Sequence, residues 1–271
     1  MKQQGMQVAL DIQGFEMRFS VLGSGSRGNS VYIESGKTGI LIDAGFSGKE
    51  LETRLQSIGR DLSYVRALCI THEHNDHICG AGVISRRCKI TTYSNGGTFA
   101  AGEKRMGKLY ALKEFETGDM LEIGDLLVRS FRISHDTADP VGYVVSNGKR
   151  SIGYCTDTGK VSHLIGTRLA ECNGLILEFN HNLQMLKNGP YPLPLQQRVR
   201  SSRGHLSNED AAVFLAGLIG DQMHTVVLAH LSETNNTPEL ARKAAMHSVQ
   251  SWGDTSLLIA QQEKATALLE L

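Results

Sequence analysis

The sequence is short of the features that mark several whole classes of protein. No apolar run approaches the ~20 residues that a membrane-spanning helix needs, and Met1–Met17 mixes charged and polar residues without the apolar stretch of a signal peptide. This predicts a chain without export signal or membrane span, with a weakly ordered extension over residues 1–16. Cysteine is scarce: Cys69, Cys79, Cys88, Cys155 and Cys172 are odd in number, scattered, and contain no CxxC pair. A disulfide framework is therefore not expected, and free thiols point to the cytoplasm. An excess of one charge is also missing, because 28 basic residues face 28 acidic ones. Composition gives no vote for a nucleic-acid partner, so any such evidence must be local. Only five prolines occur, and no repeat or low-complexity segment interrupts the chain. With no boundary visible, residues 17–271 read as a single domain.

What is present is a succession of short β-branched runs. They are Met17–Leu22, Val31–Glu34, Ile40–Asp43, Ala67–Ile70, Lys89–Tyr93, Leu126–Ile133, Val141–Val145, Ser151–Cys155, Leu175–Glu178, Thr225–Ala229 and Ser256–Ile259. Several are apolar throughout, as in strands buried on both faces. Helical spacing appears over Gly48–Ile58, over Asn208–Leu218 behind a Ser207 cap, and over Pro238–Val249, which opens on proline. Strand blocks punctuated by helices predict an α+β fold, two packed sheets with helices outside, a four-layer αββα sandwich. The most loop-like stretch is 187–203, with Pro190, Pro192 and Pro194 and a basic end.

The chemistry concentrates in Thr71-His72-Glu73-His74-Asn75-Asp76-His77, just beyond the run Ala67–Ile70. On a strand these side chains would point to opposite faces, whereas a turn lets them converge. His72 and His74 can then hold one metal, while Asp76 and His77 face a second. Imidazole with carboxylate suits Zn²⁺, Mn²⁺ or Fe. A polar turn of solvated histidines is the plainer alternative, but three histidines and an aspartate in six positions are rare by chance.

An HxHxDH sequence after a strand resembles the signature of the metallo-β-lactamase superfamily. Further segments match that family in order: Asp43 in Leu41-Ile42-Asp43-Ala44-Gly45, then His135, then Asp157 in Tyr154-Cys155-Thr156-Asp157, then His230 in Val227-Leu228-Ala229-His230. The resemblance implies a two-metal site. His72, His74 and His135 would bind one ion, Asp76, His77 and His230 the other, and Asp157 would bridge them. Asp43 would fix a ligand histidine from behind. Taken alone, His135, Asp157 and His230 are weak signals, and their joint order raises them.

Finer features narrow the class. Secreted β-lactamases of this fold usually lack the second histidine of the Asp-His pair, so His77 argues against antibiotic hydrolysis. The segments GSGSRGNS, LEFNH, YPLPLQQRVRSSRGHLSN and AHLSETNN resemble the YycJ/WalJ group of bacterial exonucleases of this fold. The order Asp157, Glu178, His205, His230 also parallels tRNase Z, which places a glutamate and a histidine there for proton transfer. His205, oriented by Glu178, is thus the expected general acid, with Asp76 and Asp157 counted as catalytic beside it. The chain departs from the group's usual Ser and Asp at Phe179 and Asn182, on either side of His181, which is expected behind the ligands. Ser26 and Asn29 in the first loop, and Arg198 and Arg203 in the basic one, are the expected substrate contacts. The resemblance implies a two-metal phosphodiesterase acting on nucleic acid, DNA before RNA, as an exonuclease. The alternatives are a small-molecule hydrolase of the same fold (thioesterase, lactonase or cyclic phosphodiesterase) and a non-hydrolytic metal protein.

Overall fold

The computed structural model describes residues 16–249 and 252–271. The extension expected over 1–16 lies outside the described residues, apart from Glu16. The first sheet contains β1 (Met17–Gly23), β2 (Ser30–Ser35), β3 (Thr38–Ile42), β4 (Val65–Cys69), β5 (Thr91–Asn95) and β6 (Ala111–Phe115), in that order across the sheet. The second contains β7 (Met120–Ile123), β8 (Leu126–Arg132), β9 (Val141–Ser146), β10 (Ser151–Cys155), β11 (Gly174–Glu178), β12 (Thr225–Ala229) and β13 (Ser256–Ile259). A short β14 (Leu269–Glu270) returns to the first sheet beside β1.

The sheets face each other across one core, in which Phe19, Val21, Ile33, Ile40 and Ile42 meet Val128, Tyr143, Val145, Ile176 and Val227. Helices α1 (Gly48–Ser57), α2 (Asn75–Ile78), α3 (Ala81–Cys88) and α4 (Gly96–Met106) follow strands of the first sheet, and a second apolar cluster lies under that layer. Helices α5 (His163–Leu169), α6 (Leu183–Asn188), α7 (Leu193–Val199), α8 (Asn208–Ala216) and α9 (Pro238–Ser248) belong to the second half. A third cluster, including Ile165, Leu169, Ala211, Leu215 and Ala241, packs α5, α8 and α9 onto the outer face of the second sheet. The αββα expectation holds. Among the described residues, no helix is long and apolar enough to cross a membrane.

Most helix starts carry the side-chain cap that the sequence offers. Ser47, Asn95, Ser162, Ser207 and Thr237 each accept a hydrogen bond from a backbone N–H in the first turn. The expected loop at 187–203 is corrected by α7, which Pro192 caps and Pro194 enters at its first turn, where proline costs no backbone bond.

Strands β3 to β6 run parallel, as do β10 to β13, so their carboxyl ends gather along one edge of the sandwich. Sites in open α/β sheets form at that edge. Here the β3 end and the loop after β4 lie back to back: Ala44 N–H donates to the His77 carbonyl at 2.8 Å, and Asn29 N–H to that of Asp76 at 2.8 Å. A Cβ on Gly45 would stand 1.7 Å from the Asp76 carbonyl oxygen and 2.5 Å from the Asn29 nitrogen. Both are backbone atoms that cannot move aside independently. Gly45→Ala should therefore destabilise the fold by about 1–3 kcal/mol or more in urea unfolding and disturb Asp76 and His77. Gly220→Ala meets nothing within 4 Å and serves as the control; it should stay within about 0.5 kcal/mol of the parent. Equal stability of the two variants would contradict this packing.

Candidate metal centre

Each strand end contributes one part of a polar cluster. Asp43 follows β3, His72 to His77 follow β4, His135 follows β8, Asp157 follows β10, Glu178 closes β11 and His230 follows β12. Asp43, Asp157 and His230 have φ of 61°, 57° and 54°, in the left-handed region that non-glycine residues rarely enter. Turning the chain sharply at those points aims the side chains across the sheet edge.

Four sets of side chains offer atoms within 4.8 Å of one another: His72, His74 and His135; His72, His77 and Asp157; Asp76, His77 and His230; and Asp157, Glu178, His205 and His230. The sets share members, so Asp157 stands between the trio of histidines and the rest. His135 Nε2 is 3.3 Å from His74 Nδ1, and His77 Nε2 is 3.4 Å from Asp157 Oδ2. Among the described residues, His72 Nε2, Asp157 Oδ2 and His230 Nε2 are buried without a hydrogen-bond partner. Buried polar atoms are rarely left so, and these belong to the sets named above. Imidazole nitrogens and carboxylate oxygens within such a distance fit a divalent transition metal.

Charge leads to the same fit. Burial holds the His72, His74 and His135 imidazoles below their ordinary range, leaving neutral rings with free lone pairs. Burial would do likewise to His77 and His230, but carboxylates overcome it. Asp43, Asp157 and Asp76 draw His77 up to about 10, and Asp157 with Glu178 draws His230 up to about 9. The carboxylates thus demand positive charge beside those rings. A divalent cation meets the same demand and displaces the protons.

Supporting bonds fix the cluster. Thr71 donates to Asp43 from its backbone N–H at 2.8 Å and its hydroxyl at 2.7 Å, and His77 Nδ1 lies 2.7 Å from Asp43 Oδ2. Glu178 Oε1 lies 2.7 Å from His205 Nδ1 and 3.0 Å from His230 Nδ1, while its Oε2 accepts from the Thr158 and Leu206 backbones. Burial opposes the Glu178 charge, yet His205 and His230 hold its pKa below the usual carboxylate range.

The remaining sequence candidates scatter. Asn29 lies under the first loop: its amide donates to the Gly25 carbonyl at 2.9 Å and to Asp76 Oδ2 at 3.1 Å. Ser26 is exposed on that loop. His181 is buried, with Nδ1 3.3 Å from Asn180 Oδ1, and joins none of the four sets. Arg198 Nε donates to Asp136 Oδ2 at 2.6 Å, and Arg203 Nε to the His135 carbonyl at 3.2 Å. Sequence reasoning passed over the buried amides behind the site. Asn208 and Asn236 exchange hydrogen bonds at 2.8 and 2.9 Å, and the Asn180 amide donates to the His230 carbonyl at 3.0 Å. Their sequence signal is only their place in or next to the LEFNH, GHLS and AHLSETNN segments. Asp136 likewise carries none beyond following His135.

Comparison with known proteins adds three findings. Residues 38–231 match the family model described as a beta-lactamase superfamily domain. The chain is 38% identical to "Exodeoxyribonuclease YycJ" of Bacillus anthracis over 239 residues, 88% of this chain and 90% of that protein. It is also 38% identical to "Exodeoxyribonuclease WalJ" of Streptococcus pneumoniae, over 86% of this chain and 88% of the other. Among solved structures, the metallo-beta-lactamase fold protein YhfI from Bacillus subtilis superposes with a TM-score of 0.72 at 16% identity, covering 92% of this chain and 99% of its own, a likeness of fold.

Asp43 belongs to none of the four sets, and it holds His77 through the ring nitrogen that points away from the cluster. Asp43→Ala should weaken divalent-metal affinity about 10–100-fold, the usual cost of losing such a support, as measured by competition with a chelator. Wild-type affinity in that variant would show that His77 needs no holder.

Proposed function

This chain belongs to the metallo-β-lactamase superfamily, in the group of the YycJ and WalJ exodeoxyribonucleases, and is a metal-dependent hydrolase; we propose that it is a two-metal DNA exonuclease. The observation that carries the proposal is the pairing of His205 with Glu178. An imidazole 20% exposed is held at Nδ1 by a fully buried carboxylate, beside the set that contains Asp157 and His230. A thiolate, with a conjugate-acid pKa of about 8.5, departs readily near neutral pH without a proton donor. A sugar alkoxide does not, so a positioned donor favours phosphodiester over thioester chemistry.

In this reading His72, His74 and His135 would hold one ion, Asp76, His77 and His230 would hold the other, and Asp157 would be shared. When bound, the metals supply a hydroxide nucleophile near neutral pH and screen the charge that grows on the phosphoryl oxygens. The chain's own work is positional and protonic. Glu178 accepts the Nδ1 proton of His205, fixing the tautomer and turning Nε2 toward the cleft, where it gives a proton to the leaving sugar oxygen. Asp43 and Asn29 hold His77 and Asp76 from behind. Arg203 is anchored at the rim on the His135 carbonyl, within reach of a backbone phosphate. That both relatives are exodeoxyribonucleases favours DNA over RNA, and five free cysteines suit a reducing cytoplasm. Residues 17–271 are proposed to act as one domain.

Purified protein loaded with Mn²⁺ or Zn²⁺ should digest end-labelled DNA from its ends and hold close to two metals per chain. Rapid cleavage of a glutathione thioester with every nucleic acid left intact would refute the nuclease reading.

His205→Ala should keep its metals but lose about 10²–10⁴-fold in turnover of DNA, the range for a missing general acid. The loss should shrink on a bis-nitrophenyl phosphate ester, whose leaving group needs no proton. An equal loss on both substrates would make His205 a phosphate-positioning group instead.

A further inference from the structure

The imidazoles of the two proposed ligand trios are held unequally. In each, one nitrogen faces the cluster and the other faces away. The outward nitrogen of His72 lies 3.0 Å from the Thr71 hydroxyl, and that of His77 2.7 Å from Asp43. The outward nitrogen of His135 lies 3.2 Å from the Gly204 carbonyl, and the Nδ1 of His230, whose Nε2 is the unpartnered one, lies 3.0 Å from Glu178 and 3.2 Å from Asp157 Oδ1. His74 differs. Its Nδ1 faces His135 Nε2 at 3.3 Å, so Nε2 points out, yet among the described residues no oxygen stands within hydrogen-bond range of it. Its side chain is 30% exposed, whereas those of His72 and His77 are fully buried.

The nearest carboxylate is that of Asp136, the residue after His135. Its Oδ1 is 3.7 Å from His74 Nε2 and 3.6 Å from His135 Nε2, is buried, and has no hydrogen-bond partner among the described residues; of those two nitrogens, only that of His74 points out of the cluster. Its Oδ2 is engaged by Arg198 Nε at 2.6 Å. A buried charged oxygen left over on one side of the gap, and a ring N–H left over on the other, are complementary. A shift of under 1 Å, or one bridging water, joins them.

We propose that Asp136 is the positioning residue for His74, accepting its outward N–H, and that Arg198 serves chiefly to hold Asp136 in place. The proposal rests on the two-metal reading of the site, but not on nucleic acid being the substrate. It completes a pattern in which an oxygen of this chain fixes the tautomer of every ligand imidazole. It also reassigns Arg198. An exposed guanidinium at this rim suggests a free phosphate fork, but its Nε is already committed to Asp136.

The test titrates metal-stripped full-length protein with Zn²⁺ against a chromophoric chelator. Asp136→Ala should lose about 10–100-fold in affinity at one site. Asp136→Asn keeps an acceptor oxygen and should recover most of that loss. Arg198→Ala should lose about 2–5-fold, the scale of an exposed ion pair. Nitrogen-15 spectra of the zinc-loaded protein should show a protected His74 Nε2–H that disappears in Asp136→Ala, a signature that a merely structural role would not produce. Wild-type Zn²⁺ affinity in Asp136→Ala would overturn the proposal. So would loss of a whole zinc in both Asp136 variants, which would make Asp136 a ligand. Unchanged zinc affinity in Arg198→Ala, with a salt dependence of DNA binding shallower by about one unit, would return Arg198 to the phosphate. A parent protein that binds no Zn²⁺ would instead overturn the two-metal reading itself, a failure visible before any variant is made.

Discussion

A single buried negative charge organises the site. Asp43 is wholly removed from solvent at the end of β3. Burying an ion costs several kcal/mol even after relaxation, and burial accordingly pushes the Asp43 carboxyl up. What offsets the cost is the full set of donors from the neighbouring loop: Thr71 by backbone and hydroxyl, and His77 by its ring. Because the charge cannot be left unpaired, the first and last parts of the segment from Thr71 to His77 must both return to the same carboxylate. The loop then has little freedom in how it presents His72, His74 and Asp76. Asn29 and Gly45 close the arrangement from the other side, where backbone meets backbone too tightly for any side chain.

The strand ends hold backbone strain for the same purpose. Of the four described non-glycine residues with positive φ, three are Asp43, Asp157 and His230. Each costs on the order of 1–3 kcal/mol and persists only where its surroundings over-determine it. The surroundings here are parallel strands buried along their whole length, β3 and β12 above all, packed across a core shared by both sheets. The sandwich therefore does more than carry the site. Its rigidity keeps three polar residues in a conformation they would leave in a looser chain.

How much of this could be read from sequence follows from how local each feature is. The run from His72 to His77 is contiguous, so the chemistry is visible before the fold is known. His135, Asp157 and His230 each end an apolar run and become legible through their order. The strand β6 was not apparent because most of Ala111–Phe115 is at least partly exposed and carries no clean alternation. Helix α7 was hidden by prolines that read as loop signals until their place at a first turn is seen. The asparagine pair Asn208–Asn236 is invisible for a deeper reason. Its partners are 28 residues apart, and an amide becomes structural only when burial removes water as a competitor. Asn29 illustrates the converse: a polar residue in a glycine-rich loop suggests a surface contact, yet its amide is spent inside the protein.

The charge balance of the centre constrains what can bind there. Asp43, Asp76, Asp157 and Glu178 bring four carboxylates to one sheet edge, against a chain of zero net charge. Apart from Arg203, the arginines near the rim already have acidic partners. Arg27 is paired with Glu233 and Glu263, and Arg198 with Asp136. A phosphodiester approaching such a cluster meets like charge, and a field focused by low-dielectric walls would repel it. In the two-metal reading proposed above, two divalent cations would match the four carboxylates without help from the imidazoles, whereas with one the protons of His77 and His230 would have to supply the rest of the positive charge. The carboxylates that position the histidines thus also set how much positive charge, from protons or metal, the centre must hold before an anion can approach.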